Sequence, residues 1–335
     1  MRKWIPLLVF LLASCGAKEE PHSSVFSITS DESSTDIVYS LPPEDHEKIP
    51  LYQEGNVPYE GGEGHRYAFL TPYFAPNPTG QAVLVIPGGG YTHLSNSTPS
   101  ASSKFGGSDN EGNQKEASAI APYYNQIGVS VFVLNYRTTI VDPELDYHAL
   151  LSDILRGIRV LSSHSDEYHF DALALQGYSA GGHLALMAIE HPDFQIDDPN
   201  YSLDAIDDLP ISIDSLILGY PVVSFLDGYT HASTRRVFTG NKKDLYESFS
   251  AELGVDEDFP ATYLFHEEKD PTVPIAGSRK LAEALEFFDI PRRFDVFADE
   301  ASEETPLHGF GVTSDLPEAM EWMVHATDFL RERRG

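Results

Sequence analysis

Cysteine is nearly absent from this chain: among 335 residues there is one, Cys15. An internal disulfide and a cysteine-rich zinc site are therefore both excluded. Basic side chains are scarce too, with 22 Lys and Arg against 52 Asp and Glu and a formal net charge of −30. Binding a phosphate backbone requires clustered cations, so no nucleic acid is expected as a partner. The acidic excess reads as a solvated surface, one that also suits saline water. Long apolar runs are missing: the stretch from Trp4 to Ala13 is too short to span a bilayer. There is no internal repeat and no heptad, which excludes solenoids and coiled coils. The acidic pairs Asp197-Asp198 and Asp207-Asp208 match no calcium-loop spacing, so no metal is expected.

What is present is a globular composition. Hydrophobic residues make up 41% of the chain, enough for a sizeable core. From Tyr67 onward strand-like runs alternate with helix-like runs, and we find no break that separates two domains. This pattern predicts an α/β fold, a mostly parallel sheet with helices on both faces, in one catalytic domain over residues 49–335.

The most informative segment is Gln176-Gly177-Tyr178-Ser179-Ala180-Gly181-Gly182-His183. Ala172 to Leu175 before it read as a short buried strand, and Leu184 to Ala188 after it read as a buried helix. A sharp turn between them presents the Ser179 hydroxyl at the carboxyl edge of a sheet. Side chains at 177 and 181 would collide with the neighbouring strand and helix, hence the glycines.

A serine hydroxyl is a poor nucleophile at neutral pH, so Ser179 needs a base and a group that orients the base. Both follow in the chain. Ala261 to His266 reads as a strand, and the loop after it carries Asp270, the candidate acid, with Glu267 and Glu268 as weaker ones. Arg293 to Phe297 reads as a last strand, and the loop beyond it carries His308, the candidate base. An oxyanion needs two backbone N–H groups. Ala180 offers one, and Gly89 or Gly90, after the strand Val83 to Ile86, offers the other. Tyr91 and Tyr178 flank these groups as candidates to touch substrate, with core packing as the alternative. His93, His183 and His266 read as packed or hydrogen-bonded residues. Asp153, Arg156 and Arg159 lie at helical spacing and read as fold-stabilising pairs, and Arg137 reads as the anchor of an ion pair beneath the elbow.

With Ile86-Pro87-Gly88-Gly89-Gly90-Tyr91, Val131 to Arg137, Asp153 to Arg159, the serine segment, Gly219 to Ser224, the Asp270 loop and His308-Gly309-Phe310 in this order, the chain resembles the α/β-hydrolases of the bacterial acetyl-esterase and acetylxylan-esterase type. The resemblance runs from about residue 66 to the C-terminus. It implies a serine esterase that needs no cofactor and removes acetyl or other short acyl groups from an acylated carbohydrate such as xylan, or from a small ester. Dienelactone-hydrolase relatives carry a cysteine nucleophile where this chain has Ser179. Two departures stand out: the Ser-, Asn- and Gly-rich stretch 95–113 is longer than usual, and the loop from Asp299 to Pro306 before His308 is acidic. Two other readings are a prolyl-oligopeptidase-like peptidase, which usually adds a propeller this chain has no room for, and a non-catalytic glycan-binding surface lipoprotein.

The N-terminus carries a separate signal. Arg2 and Lys3 precede the apolar run, which ends in Leu12-Ala13-Ser14-Cys15 and resembles a bacterial lipoprotein box. The expectation is a signal peptide over residues 1–14, lipidation of Cys15, and a Ser-, Glu- and Pro-rich tether over 15–48. Gly16 in place of aspartate implies the outer membrane, and Lys18-Glu19-Glu20 resembles a short charged signal for the cell surface, the periplasmic face being the alternative. Nothing in the sequence sets the oligomeric state.

Overall fold

The computed structural model describes residues 47–60, 68–95, 116, 120–298, 308–309 and 321–334. The expected signal peptide, Cys15, most of the tether, the 95–113 stretch beyond Ser95 and the acidic loop before His308 lie outside the described residues.

Among the described residues, eight strands form one sheet: β1 (Ile49–Pro50), β2 (Phe69–Tyr73), β3 (Gly80–Ile86), β4 (Val129–Asn135), β5 (Phe170–Tyr178), β6 (Ser215–Gly219), β7 (Ala261–Glu267) and β8 (Arg292–Phe297). Their spatial order is β1-β2-β4-β3-β5-β6-β7-β8. The pairs β1–β2 and β2–β4 are antiparallel and every other pair is parallel. The helices are α1 (Ala121–Gln126), α2 (Tyr147–Ser163), α3 (Ser165–Tyr168), α4 (Ala180–Glu190), α5 (Ala232–Thr239), α6 (Ile275–Phe287) and α7 (Glu321–Arg333).

Strand sequences explain why helices cover both faces. Along β3, Ala82, Leu84 and Ile86 enter one apolar cluster, while Val83 and Val85 between them enter a second. The alternation of a pleated strand thus feeds two cores at once, and a run buried on both sides is apolar throughout. Residues of α2, α4 and α6 fill the first core, and residues of α1 and α7, Trp322 and Phe329 among them, fill the second.

The crossovers also fix where a ligand can sit. After β3 the chain crosses to one neighbour, β4, by way of α1 on the second face; β5, the other neighbour of β3, leads into α4 on the first face. Adjacent strands whose connections leave in opposite directions open a crevice at their carboxyl ends. The glycine loop after β3 and Ser179 after β5 are the residues that flank it.

The charged residues of α2 do not pair with one another. Asp153 and Arg137 are both fully buried, and Arg137 grips the Asp153 carboxylate through Nη2 at 2.8 Å and Nε at 2.9 Å. Arg137 therefore does anchor an ion pair, one that ties the end of β4 to α2. Arg156 reaches out to Asp204 and Asp207 at 2.6 and 2.9 Å, and Arg159 donates to the Leu209 carbonyl at 2.8 Å. Partners on other elements win because these side chains lie on the buried side of the helix, where an i,i+3 surface pair has no place.

Candidate active site

Ser179 sits at the junction of β5 and α4 with φ +53° and ψ −119°, a conformation that few non-glycine residues adopt. The packing around it leaves no alternative. A Cβ at Gly177 would lie 2.5 Å from the Gly181 carbonyl oxygen, and one at Gly181 would lie 2.1 Å from the Ile86 carbonyl oxygen. Strand, turn and helix are thus pressed together at the two flanking glycines, and the hydroxyl between them is pushed to the edge of the sheet.

Ser179, Asp270 and His308, read from sequence as nucleophile, acid and base, are brought together. His308 Nε2 is 3.0 Å from Ser179 Oγ, and its Nδ1 is 2.7 Å from Asp270 Oδ2. The loop after β7 builds the acid: Asp270 Oδ1 accepts the N–H groups of Thr272 and Val273 at 2.8 and 2.9 Å. His266, a packed histidine as read, lies 3.4 Å from the other oxygen through Nε2 and accepts from or donates to Ser278 Oγ at 2.8 Å through Nδ1. Burial alone would push the Asp270 carboxyl up, but the bonds from His266, His308 and the Val273 N–H outweigh it and hold the group well below the usual carboxylate range. The Asp270 side chain is 1% exposed and that of His308 is 24% exposed, so the acid group is sealed while the imidazole reaches the cleft. Glu267 and Glu268 stand outside this arrangement. Glu267 is buried at the end of β7, and Glu268 pairs with Arg279 at 2.5 Å.

The glycine loop packs against the serine. A Cβ at Gly88 would lie 3.0 Å from Ser179 Cβ. Gly89 has φ +118°, and a Cβ there would fall 1.9 Å from the His93 carbonyl oxygen, so only glycine turns the chain at this point. The Gly88 N–H is taken by Glu116 at 2.7 Å. The N–H groups of Gly89, Gly90 and Ala180 have no acceptor among the described residues, which leaves them available to an acyl oxygen. Ala180 is the first residue of α4, where helix N–H groups are unpaired by construction.

Two candidate substrate contacts need correction. Tyr91 and Tyr178 have no exposed surface. The Tyr91 hydroxyl donates to His183 Nδ1 at 2.8 Å, and the Tyr178 hydroxyl accepts from Gln176 Nε2 at 2.5 Å. Both rings belong to the cores, with their polar ends already partnered.

Residues that the sequence did not single out surround the site. The Tyr220 ring stands edge-on to the His308 ring at 5.0 Å. The Tyr136 hydroxyl donates to the Pro87 carbonyl at 2.7 Å and braces the glycine loop from behind. His231, the residue before α5, places its Cε1 3.8 Å from where a Gly90 Cβ would be. Burial, and then the nearby His308, push the His231 imidazole down from its ordinary value, so it stays neutral near pH 7. Tyr136 and Tyr220 fall inside segments whose order was recognisable; no pattern marks Glu116 or His231 as residues of the site. His93 is exposed and bonds its neighbour Thr92 at 3.0 Å. Among the acidic pairs, Asp198 accepts the N–H groups of Tyr59 and Asn200, and Asp207 accepts the Tyr201 hydroxyl.

Comparison with known proteins places the chain in a family. The BD-FAE family matches residues 75–285, more than half of the chain and a span that includes Ser179 and Asp270. The chain is 28% identical to endo-1,4-beta-xylanase B of Butyrivibrio fibrisolvens over 322 residues, 90% of this chain and 45% of that protein. It is 27% identical to the acetylxylan esterase of Xylanibacter ruminicola over 166 residues, 49% of this chain and 27% of that protein. The chain thus spans less than half the length of these curated relatives. Among solved structures, the acetyl ester-xyloside bifunctional hydrolase from Caldicellulosiruptor lactoaceticus superimposes with a TM-score of 0.69 at 26% identity, covering 86% of this chain and 96% of that one. A carbohydrate esterase from gut microbiota, at 18% identity and a TM-score of 0.63, shares the fold. With a family match over more than half of the chain and the sheet, the serine turn and the glycine loop in their places, the chain belongs to the BD-FAE family and has the α/β-hydrolase fold.

Proposed function

We propose that this protein is a serine esterase that removes acetyl or similarly short acyl groups from an acylated polysaccharide, with xylan as the first choice. The observation that carries the reaction is the chain of bonds from Ser179 Oγ through His308 to Asp270, beside three backbone N–H groups that have no acceptor among the described residues. Ser179 Oγ attacks the ester carbonyl while His308 Nε2 takes its proton. The carbonyl oxygen gains negative charge and is met by the N–H of Ala180 and of Gly89 or Gly90. Collapse of the tetrahedral species breaks the bond to the alcohol oxygen, and His308 returns the proton to it. Water then attacks the acyl-serine, again losing a proton to His308; the bond from the acyl carbon to Ser179 Oγ breaks, His308 returns the proton to Oγ, and the free acid leaves. Asp270 holds the imidazole in the tautomer with a proton on Nδ1 and stabilises the imidazolium that forms twice per cycle.

The choice of xylan is supported by similarity to an acetylxylan esterase and an acetyl ester-xyloside hydrolase. Release of acetate from acetylated xylan, pectin, mannan and chitin is the direct test. Release from xylan with none after Ser179→Ala is the expected result; release from none of the four redirects the reading to small esters.

For location, we infer an outer-membrane lipoprotein anchored through Cys15, supported by the box Leu12-Ala13-Ser14-Cys15 and by the lack of any other cysteine. Incorporation of labelled palmitate in cells, abolished by Cys15→Ser, tests the anchor, and protease accessibility on intact cells separates the two faces of the membrane.

A further inference from the structure

Glu116 is 5% exposed and belongs to no helix or strand, yet its carboxylate is fully engaged. Oε2 accepts the Gly88 N–H at 2.7 Å and the Ser95 hydroxyl, and Oε1 accepts the Tyr220 hydroxyl at 2.8 Å. Gly88 follows β3 and Tyr220 follows β6, the two strands on either side of β5. A single side chain therefore joins the loops that flank the nucleophile from left and right.

Each loop touches the reacting groups. Gly88 lies so close to Ser179 that a Cβ on it would be 3.0 Å from the serine Cβ and 3.1 Å from Glu116 Oε2. Tyr220 has φ +36°, is held by its N–H on the Phe265 carbonyl at 2.7 Å, and sets its ring edge against His308. Burial and the adjacent Glu116 push the Tyr220 hydroxyl well above its ordinary value, so it remains a donor. Bonds to a charged acceptor are roughly twice as strong as neutral ones, and they are shorter and more directional. Burying a carboxylate is costly, and a fold in need of a brace alone already has a neutral one here, the Tyr136 hydroxyl on Pro87.

We infer that Glu116 is a positioning residue for ester hydrolysis: it engages the Gly88 N–H, leaving the following N–H groups of the loop for the acyl oxygen, and it fixes Tyr220 against the catalytic histidine. The inference rests on the esterase reading of Ser179. An N–H displaced by about 1 Å from a developing oxyanion can cost on the order of a hundredfold in rate.

The test compares wild type with Glu116→Gln, Glu116→Asp and Tyr220→Phe on a small acetylated chromogenic ester. Active sites are counted by end-point fluorophosphonate labelling, and melting temperature is recorded alongside. Glu116→Gln keeps the shape and removes the charge, and kcat per labelled site should fall roughly 10- to 100-fold with KM changed less than about threefold. Glu116→Asp should recover part of the loss. Tyr220→Phe, which leaves the Gly88 bond intact, should lose about 3- to 10-fold. Wild-type kcat per labelled site in Glu116→Gln with a lowered melting temperature identifies a merely structural carboxylate and overturns the inference, as does a change confined to KM. If Glu116→Gln does not fold, wild-type kcat in both other variants overturns it equally. A wild-type enzyme that neither turns over nor labels at Ser179 removes the esterase reading itself, and the role of Glu116 falls with it.

Discussion

Two histidines contact the same serine, and only one is placed to move a proton in the proposed reaction. His183, on the first turn of α4, donates its N–H to the Ser179 carbonyl and is closer to it in sequence than any other histidine. It has no exposed surface. Nδ1 accepts the Tyr91 hydroxyl, Nε2 donates to the Phe249 carbonyl at 3.0 Å, and the ring stacks on Phe225 at 4.2 Å. Burial, only partly offset by the Phe249 carbonyl, lowers its pKa to about 3. His308 comes 129 residues after Ser179 and is partly exposed, with a carboxylate on one nitrogen and the serine hydroxyl on the other. An imidazole whose two nitrogens face neutral, permanent partners is part of the core; one that faces a carboxylate and a hydroxyl open to the cleft can move a proton.

Four measurements break or sharpen that contrast. The largest effect belongs to the His308 side of the contrast: Ser179→Ala and His308→Ala should each lower kcat on an acetylated ester by roughly 10⁴- to 10⁶-fold at unchanged melting temperature. Substantial turnover in either variant would abolish the distinction. Asp270→Asn keeps the shape of the acid but cannot hold the same imidazole tautomer, and should lose on the order of 10⁴-fold in kcat.

His183→Leu should act in the opposite manner. It strands the Tyr91 hydroxyl and the Phe249 carbonyl in the core and should lower unfolding free energy by about 2–4 kcal/mol in denaturant titration. Turnover per fluorophosphonate-labelled site should stay within about threefold of wild type, and a much larger loss would give His183 a part in the chemistry.

The smallest effect is read from pH. Below its ordinary pKa of 6.5 the unfolded chain protonates His183, while the folded chain refuses the proton until about pH 3. Stability from this residue is therefore present at neutral pH and falls as pH drops through that window, by up to about 1.4 kcal/mol per pH unit. Asp270, held low in the fold, adds a loss of the same sign beginning near its ordinary value of 3.8. Between pH 6 and 4, roughly, the unfolding free energy of His183→Leu should slope less steeply than that of wild type. Parallel slopes would mean that the imidazole charges without unfolding the protein.

Much of the fold was legible because its signals are local. Apolar runs in β3, β5 and β7, the glycines at 177 and 181, and the order of strand, loop and helix all sit within a few residues of one another. Ser179, Asp270 and His308 could be singled out because each follows a strand whose carboxyl end faces the same edge. What escaped was set by distance along the chain. Glu116 meets Gly88 and Tyr220 across 28 and 104 residues, and no periodicity announces such a partner. The charges of α2 failed for the same reason, since Asp153 and Arg156 find Arg137 and Asp204 on other elements rather than each other. Tyr91 and Tyr178 do adjoin the glycine loop and Ser179, but sequence does not say which way a ring turns, and both turn inward.

The left-handed backbone at Ser179 has a further consequence. A non-glycine residue held in such a region costs about 1–3 kcal/mol, and glycine relieves most of it. Ser179→Gly should therefore melt higher than wild type while doing no chemistry. In a lineage that no longer used the reaction, selection for stability alone would favour that replacement. Stability and the proposed chemistry thus make opposite demands on this one position.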